Sequence, residues 1–378
     1  MPCDRFLGQA LPGFLLIALA WCPGDVAAAD EPPTLTIATW GGAYEASQEA
    51  ALFQPFTEAT GIRIETVPYS GGVEALRAQV DAGNSAWDLI DMIQADADIA
   101  CAEGLLEPFD PAILAAAPDG TPAGRDFIDD AFGECSVSQL VFASVVAYDD
   151  RAFPDEKPAT IADLFDLEQF PGKRGLRKSP AGLLGWALRA YDVPQAQVYD
   201  LLSTERGLRL AFRQLDRIKG EIVWWEDGGR PVELLESGTV TMSSGYNGRF
   251  FHAQAVDNAP ISIVWDSALL EHSTWAIVQG AADVEAAEAF IAFATSSASL
   301  AEMASRLAYG PARHSAQRRI GLHVSTGTSI EPHLPTTPRH RDRALVVDED
   351  WYAHTADLRQ RLFDDWLAAD DKEAAAAK

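Results

Sequence analysis

Apolar and β-branched residues alternate with polar ones along Thr34–Thr39 and again along residues 62–67. A period of two marks half-buried strands. Between them, residues 44–60 carry apolar positions at helical spacing and stop at Gly61, a residue suited to the left-handed backbone that closes helices. A second helix is predicted to about Ala82, a third strand over 87–93, and a third helix to Gly104. Strand and helix alternating through short links predict an α/β lobe around a largely parallel sheet.

The pattern then repeats in kind, without any repeat of sequence. Residues 140–148 read as a strand, 157–172 as turns with one short helix, and 182–191 and 198–218 as helices. Strands are predicted at 221–225, 239–243, 261–265 and 274–278, and helices at 232–237, 250–257, 284–298 and 300–307. Residues 334–343, rich in Pro, His and Arg, read as a surface loop, and 373–378 as a frayed tail.

Length and charge narrow the classes. A chain of 378 residues, 48% hydrophobic, is ample for a full core and about two domains. Arg5, an apolar run from Phe14 to Ala20, and Ala27-Ala28-Ala29 before Asp30 describe a signal peptide over residues 1–29, so export to the periplasm is expected. The apolar run is too short to span a bilayer. Outside it, Cys101 and Cys135 remain, and an even pair in an exported chain reads first as a disulfide, with two buried thiols as the alternative. A net charge of −27 disfavours nucleic acid and anionic membranes as partners. No phosphate loop, nucleophile elbow or zinc spacing occurs, so neither cofactor nor metal is expected. Glu226 and Asp266 as paired carboxylates of a secreted hydrolase are the enzymatic alternative.

Several strings, in order, resemble periplasmic substrate-binding proteins of ABC importers, the branch that includes spermidine/putrescine-binding proteins. They are Thr39-Trp-Gly-Gly-Ala-Tyr44, residues 55–64, Trp87-Asp-Leu-Ile90, Val145-Val-Ala-Tyr-Asp149, residues 171–177, residues 242–249, Trp265-Asp266 and Tyr309-Gly-Pro311. The resemblance implies a two-lobed periplasmic-binding-protein fold of type II. Lobe one would take residues 30–146 and 267–325, lobe two 147–266, and a C-terminal loop and helix, 326–378, would pack on the lobes. Two strands crossing near 147–149 and 265–266 would form the hinge. It also implies a monomer that takes up a small-molecule solute, does no chemistry, and hands the solute to an ABC importer permease.

The candidate ligand site draws on Trp40, Gln94, Arg177, Trp225, Glu226, Tyr246, Asn247, Asp266, Trp275 and Tyr309, with Glu226, Asp266 and Glu271 as acids that could replace those the polyamine branch places elsewhere. Rings and carboxylates together suit an amine, because methylenes pack on rings and a desolvated ammonium needs a counter-charge. That makes a polyamine-like solute the first expectation. Arg177, Lys178 and Arg249 suit a carboxylate equally well, and Ser273 stands where the polyamine branch places an aspartate, so a zwitterion of amino-acid or betaine type is the alternative. Of the tandem Trp224-Trp225, one faces the core and one the cleft, and Trp225 beside Glu226 is the cleft candidate. Gly41-Gly42 offers backbone N–H groups to an anion, or simply makes a turn.

Overall fold

A computed structural model describes residues 32–376 apart from residue 84. The expected signal peptide lies outside the described residues. Ten strands form one continuous mixed sheet: β1 (Thr34–Thr39), β2 (Arg63–Pro68), β3 (Leu89–Ile93), β4 (Ser136–Asp149), β5 (Arg174–Arg177), β6 (Ile222–Trp225), β7 (Met242–Tyr246), β8 (Ile261–Ile277), β9 (Gly310–Pro311) and β10 (Leu345–Val346). The order is β2-β1-β3-β8-β4-β7-β5-β6, with β10 added beside β8 and β9 beside β4. β1 runs parallel to β2 and β3, and β5 parallel to β6 and β7, so each flank is a parallel sheet joined to the centre by antiparallel pairs.

The centre is made by β4 and β8, 14 and 17 residues long, which pair antiparallel through both halves. The apolar residues of β4 change core along its length: Val137, Leu140 and Phe142 belong to one, Val146 and Tyr148 to the other. On β8, Leu269 packs in the second and Trp275 in the first. The molecule is therefore a two-lobed α/β fold whose halves share these two strands. The changeover falls at about 143–145 and 270–274, a few residues on the lobe-one side of the positions expected for the crossings. Residues 261–265 and 274–278 were expected as separate strands; Ser267, Glu271, His272 and Ser273 break the apolar pattern between them, yet the backbone stays extended through all but the positive-φ residue Ser267.

The first helical region runs without interruption from Gly42 to Thr60, widening to one π-turn at Glu49–Phe53, and Gly61 closes it at φ 78°. The predicted helix 198–218 is two, Val198–Leu202 and Glu205–Asp216, because Thr204 turns extended and accepts from the Gly207 N–H as an N-cap. β5 falls in the stretch between 172 and 182 where no element is predicted: its four residues begin with Arg174, whose fully buried guanidinium satisfies the carbonyls of Leu164, Asp166, Phe170 and Gly172. The C-terminal helix Glu349–Ala376 continues into the segment expected to be a frayed tail. It buries Phe363 in the lobe-two core, and Trp224 stands edge-on to Phe363 at 5.6 Å. Cys101, at the end of helix Gln94–Ala102, is bonded to Cys135 just before β4. No helix among the described residues is long and apolar enough to cross a membrane.

Candidate ligand-binding site

Parallel strands end at their C-termini with free side chains, and both flanks of this sheet point those ends at one another. Between them lies a cleft of about 630 Å³. Lobe one supplies Trp40 after β1, Tyr44 one helical turn later, Tyr69 and Ser70 after β2, Ile93 at the end of β3, and Ser273 on β8. Lobe two supplies Arg177 at the end of β5, Glu226 to Gly228 after β6, Tyr246 at the end of β7, and Arg249 on the helix Asn247–Ala255. Leu140 and Phe142 of β4 and Tyr309 complete the lining.

Beneath the lobe-one wall sits Asp91, fully buried on β3. One carboxylate oxygen accepts from Tyr44 OH at 2.6 Å and Gln48 Nε2 at 2.7 Å; the other accepts from Trp40 Nε1 at 3.3 Å and from the Ser273 hydroxyl. Burial pushes its carboxyl up to about 6 in spite of these donors. Both oxygens are thus used in holding Trp40, Tyr44 and Ser273 in place. The rings they carry join others: Tyr69 stands edge-on to Trp40 at 4.7 Å, Tyr44 to Tyr309 at 5.8 Å, and Phe142 to Tyr246 at 5.6 Å. Aromatic faces converge here from both lobes, the surface that methylenes and cations favour.

Two guanidiniums face these rings. Arg249 Nη2 donates to the carbonyls of Trp40 and Gly41 at 3.1 and 3.2 Å, so a lobe-two side chain holds lobe-one backbone across the cleft. Arg177 reaches the opposite wall at Gly71, where an added β-carbon would lie 3.1 Å from its Nη2 and 3.5 Å from the Trp40 ring. Among the described residues no carboxylate is bonded to either guanidinium. The acids lining the cleft sit at its rim: Glu226, with a side chain 76% exposed, lies 3.7 Å from Lys178, and Asp227 caps the Gly229 N–H at 2.7 Å.

Residues 51–331, most of the chain, match the model of the bacterial extracellular solute-binding protein family. The chain belongs to that family. Solute-binding proteins of this kind capture small molecules for ABC importers and do no chemistry of their own. A relative from Pseudomonas aeruginosa described as a gamma-aminobutyric acid-binding protein is 36% identical over 343 residues, covering 90% of this chain and 93% of that one. Among solved structures, the PBP MotA from A. tumefaciens B6 in complex with glucopine superposes with a TM-score of 0.79 at 27% identity, over 88% of this chain and 99% of the other. A GABA receptor superposes with a TM-score of 0.73 at 26% identity, over 89% and 98%.

In this solute-binding protein Trp40, Arg177, Glu226, Tyr246 and Tyr309 of the expected residues line the cleft. The other five do not, although Trp225 lines a second space behind it. Trp275 is fully buried, edge-on to Phe290 at 5.2 Å, because the helix Val284–Ala294 covers that stretch of β8. Trp225 is also buried, in lobe two behind Tyr246 with the rings 6.1 Å apart, while Trp224 faces the C-terminal helix. Asn247 links the Ala143 N–H at 2.8 Å to the Ala308 carbonyl at 2.7 Å, and Gln94 donates to Asp98 at 2.7 Å and Ser136 at 3.1 Å. Asp266 accepts from the Ile161 N–H at 3.0 Å and pairs with Arg343, so neither it nor Glu226 is arranged as half of a carboxylate pair. Gly41-Gly42 turns its carbonyl side to Arg249, and a β-carbon on Gly42 would lie 2.8 Å from Arg249 Nη1; the glycines make room for a cation here. Tyr44, Tyr69, Phe142 and Asp227 line the cleft and were not singled out. Tyr44 was within reach of sequence reasoning, since one turn into a helix that follows a strand end points back over that end.

Proposed function

We propose that this protein captures a zwitterionic ω-amino acid in the periplasm, as a monomer exported by residues 1–29, and delivers it to an ABC importer permease. The observation that carries the reading is the pair Arg177 and Arg249, two guanidiniums on the cleft with no carboxylate bonded to either among the described residues. A ligand carboxylate supplies the missing charge, and guanidinium suits it in geometry as well as sign. Trp40, Tyr246, Tyr309 and Phe142 offer rings to an aliphatic chain and an ammonium. A polyamine, the first expectation from the sequence, brings only positive charge to a cleft that already holds two cations. The gamma-aminobutyric acid-binding relative supports the zwitterion. Arg249, already spanning the cleft, joins both walls around the solute and favours the closed arrangement.

Isothermal titration with γ-aminobutyric acid, δ-aminovaleric acid, butyrate, putrescine and spermidine tests this. One of the two amino acids is expected to bind most tightly, and Arg177→Met to weaken it by about 2 kcal/mol or more. Tight binding of putrescine or spermidine with no response to either amino acid overturns the reading.

A further inference from the structure

Behind Arg177 and Tyr246, which line both spaces, lies a second, smaller chamber. Its walls are largely apolar, with Trp186, Trp225 and Leu269, and one carboxylate, Glu271, projects into it from β8. The hydroxyl of Ser144 donates to Glu271 at 2.7 Å, and no cation is bonded to it among the described residues. An ionised carboxylate against indoles and aliphatic side chains is costly without a counter-charge. We propose that this chamber is the subsite for the cationic end of the solute, with Glu271 as its counter-ion and Arg177 at the boundary with the carboxylate end. The assignment rests on the amine-bearing solute proposed above.

The alternatives for holding an ammonium are weaker. Glu226 and Asp227 are exposed or already engaged with Lys178 and the Gly229 N–H, and a solvated carboxylate contributes little to binding. Asp91 has both oxygens filled by protein donors. Burial raises the Glu271 carboxyl above its ordinary value, with Asp96 adding to the rise and Ser144 and Arg177 opposing it. Glu349, at the start of the C-terminal helix, is raised to about 8 by burial and then by Glu271, Asp98 and Asp96. Acids thus gather around the chamber, and Arg177 at its boundary is the cation that opposes the rise of Glu271.

Calorimetry on Glu271→Gln and Ala181→Leu, the second of which narrows the chamber without changing its charge, provides the test with γ-aminobutyric acid, δ-aminovaleric acid, putrescine and butyrate. Glu271→Gln is expected to weaken every amine that the wild type binds by about tenfold or more and to reduce its discrimination against butyrate. Ala181→Leu is expected to weaken the longer amino acid more than the shorter. If both variants keep the wild-type circular dichroism and bind amines as the wild type does, the assignment is wrong. Should Glu271→Gln fail to fold, Ala181→Leu decides alone: unchanged affinity for both amino acids overturns the subsite. A wild type that prefers putrescine sinks the zwitterion reading only, because the loss on Glu271→Gln then still measures the chamber.

Discussion

Replacing Glu349 by glutamine should make the protein more stable at pH 8 and leave it nearly unchanged at pH 4.5. Glu349 opens the C-terminal helix with Oε2 buried and without a hydrogen-bond partner among the described residues. Burial first, then the fields of Glu271, Asp98, Asp96 and Asp348, raise its carboxyl from 4.5 to about 8. The folded protein therefore keeps a proton that the unfolded chain releases near its ordinary value. Stability tied to this group is complete below that value and is lost as pH rises from about 4.5 to 8. The full gap corresponds to an upper bound of about 5 kcal/mol, and partial solvation of the side chain reduces the expected effect to roughly 1–3 kcal/mol. Urea unfolding of wild type and Glu349→Gln at several values between pH 4.5 and 8.5 reads this directly. The variant should gain on the wild type steadily across that window, with equal m-values. A difference between the two that stays constant with pH would refute a protonated Glu349 in the folded state.

Two further outcomes follow from the geometry. Gly71→Ala should weaken γ-aminobutyric acid binding by about 1 kcal/mol or more in calorimetry, since Gly71 sits at φ 97° and its β-carbon would press on Arg177 and Trp40; unchanged affinity would show that the walls do not meet there. Removing the Cys101–Cys135 bond by a double serine substitution should lower stability by about 4 kcal/mol in the chain-entropy model for a 34-residue separation, read as a fall in Tm of several degrees, and an unchanged Tm would count against it.

How far the sequence reaches depends on what each residue type can report. Strand β1 was legible to the residue, and β3 within two, because alternation and apolar runs are local signals. Gly61 and the cysteine pair were legible for the same reason: a left-handed cap and a disulfide each demand a particular residue. A tryptophan does not carry its destination. Trp40, Trp225 and Trp275 all stand near strand ends, yet only Trp40 reaches the main cleft, because the helix Val284–Ala294 covers one of the others and Tyr246 screens the other. Glu271 was open to the sequence as an acid that could stand in for the missing aspartate, but its place was not, because the stretch between the two predicted strands carried no periodic signal; Glu271 and Ser273 on it line the two spaces.

The net charge of −27 is not carried into the cleft, whose lining sets Arg177 and Arg249 against Glu226 and Asp227 at the rim. Asp91 is the acid nearest the rings of lobe one, but Tyr44, Gln48, Trp40 and Ser273 consume its hydrogen-bonding capacity, so it orients the wall and leaves nothing for a ligand. Its serine partner occupies the position where the polyamine branch keeps a second aspartate, and a second carboxylate there would face Asp91 at hydrogen-bond range without a counter-ion. With serine there and Arg177 and Arg249 on the lining, the proposed function places a ligand carboxylate in the cleft. Glu271 lines the second chamber, which shares Arg177 and Tyr246 with the cleft. On the proposed function, a carboxylate at Arg177 and Arg249 and an ammonium at Glu271, with rings of the cleft beside them, suit a solute that carries both charges at the two ends of an aliphatic chain.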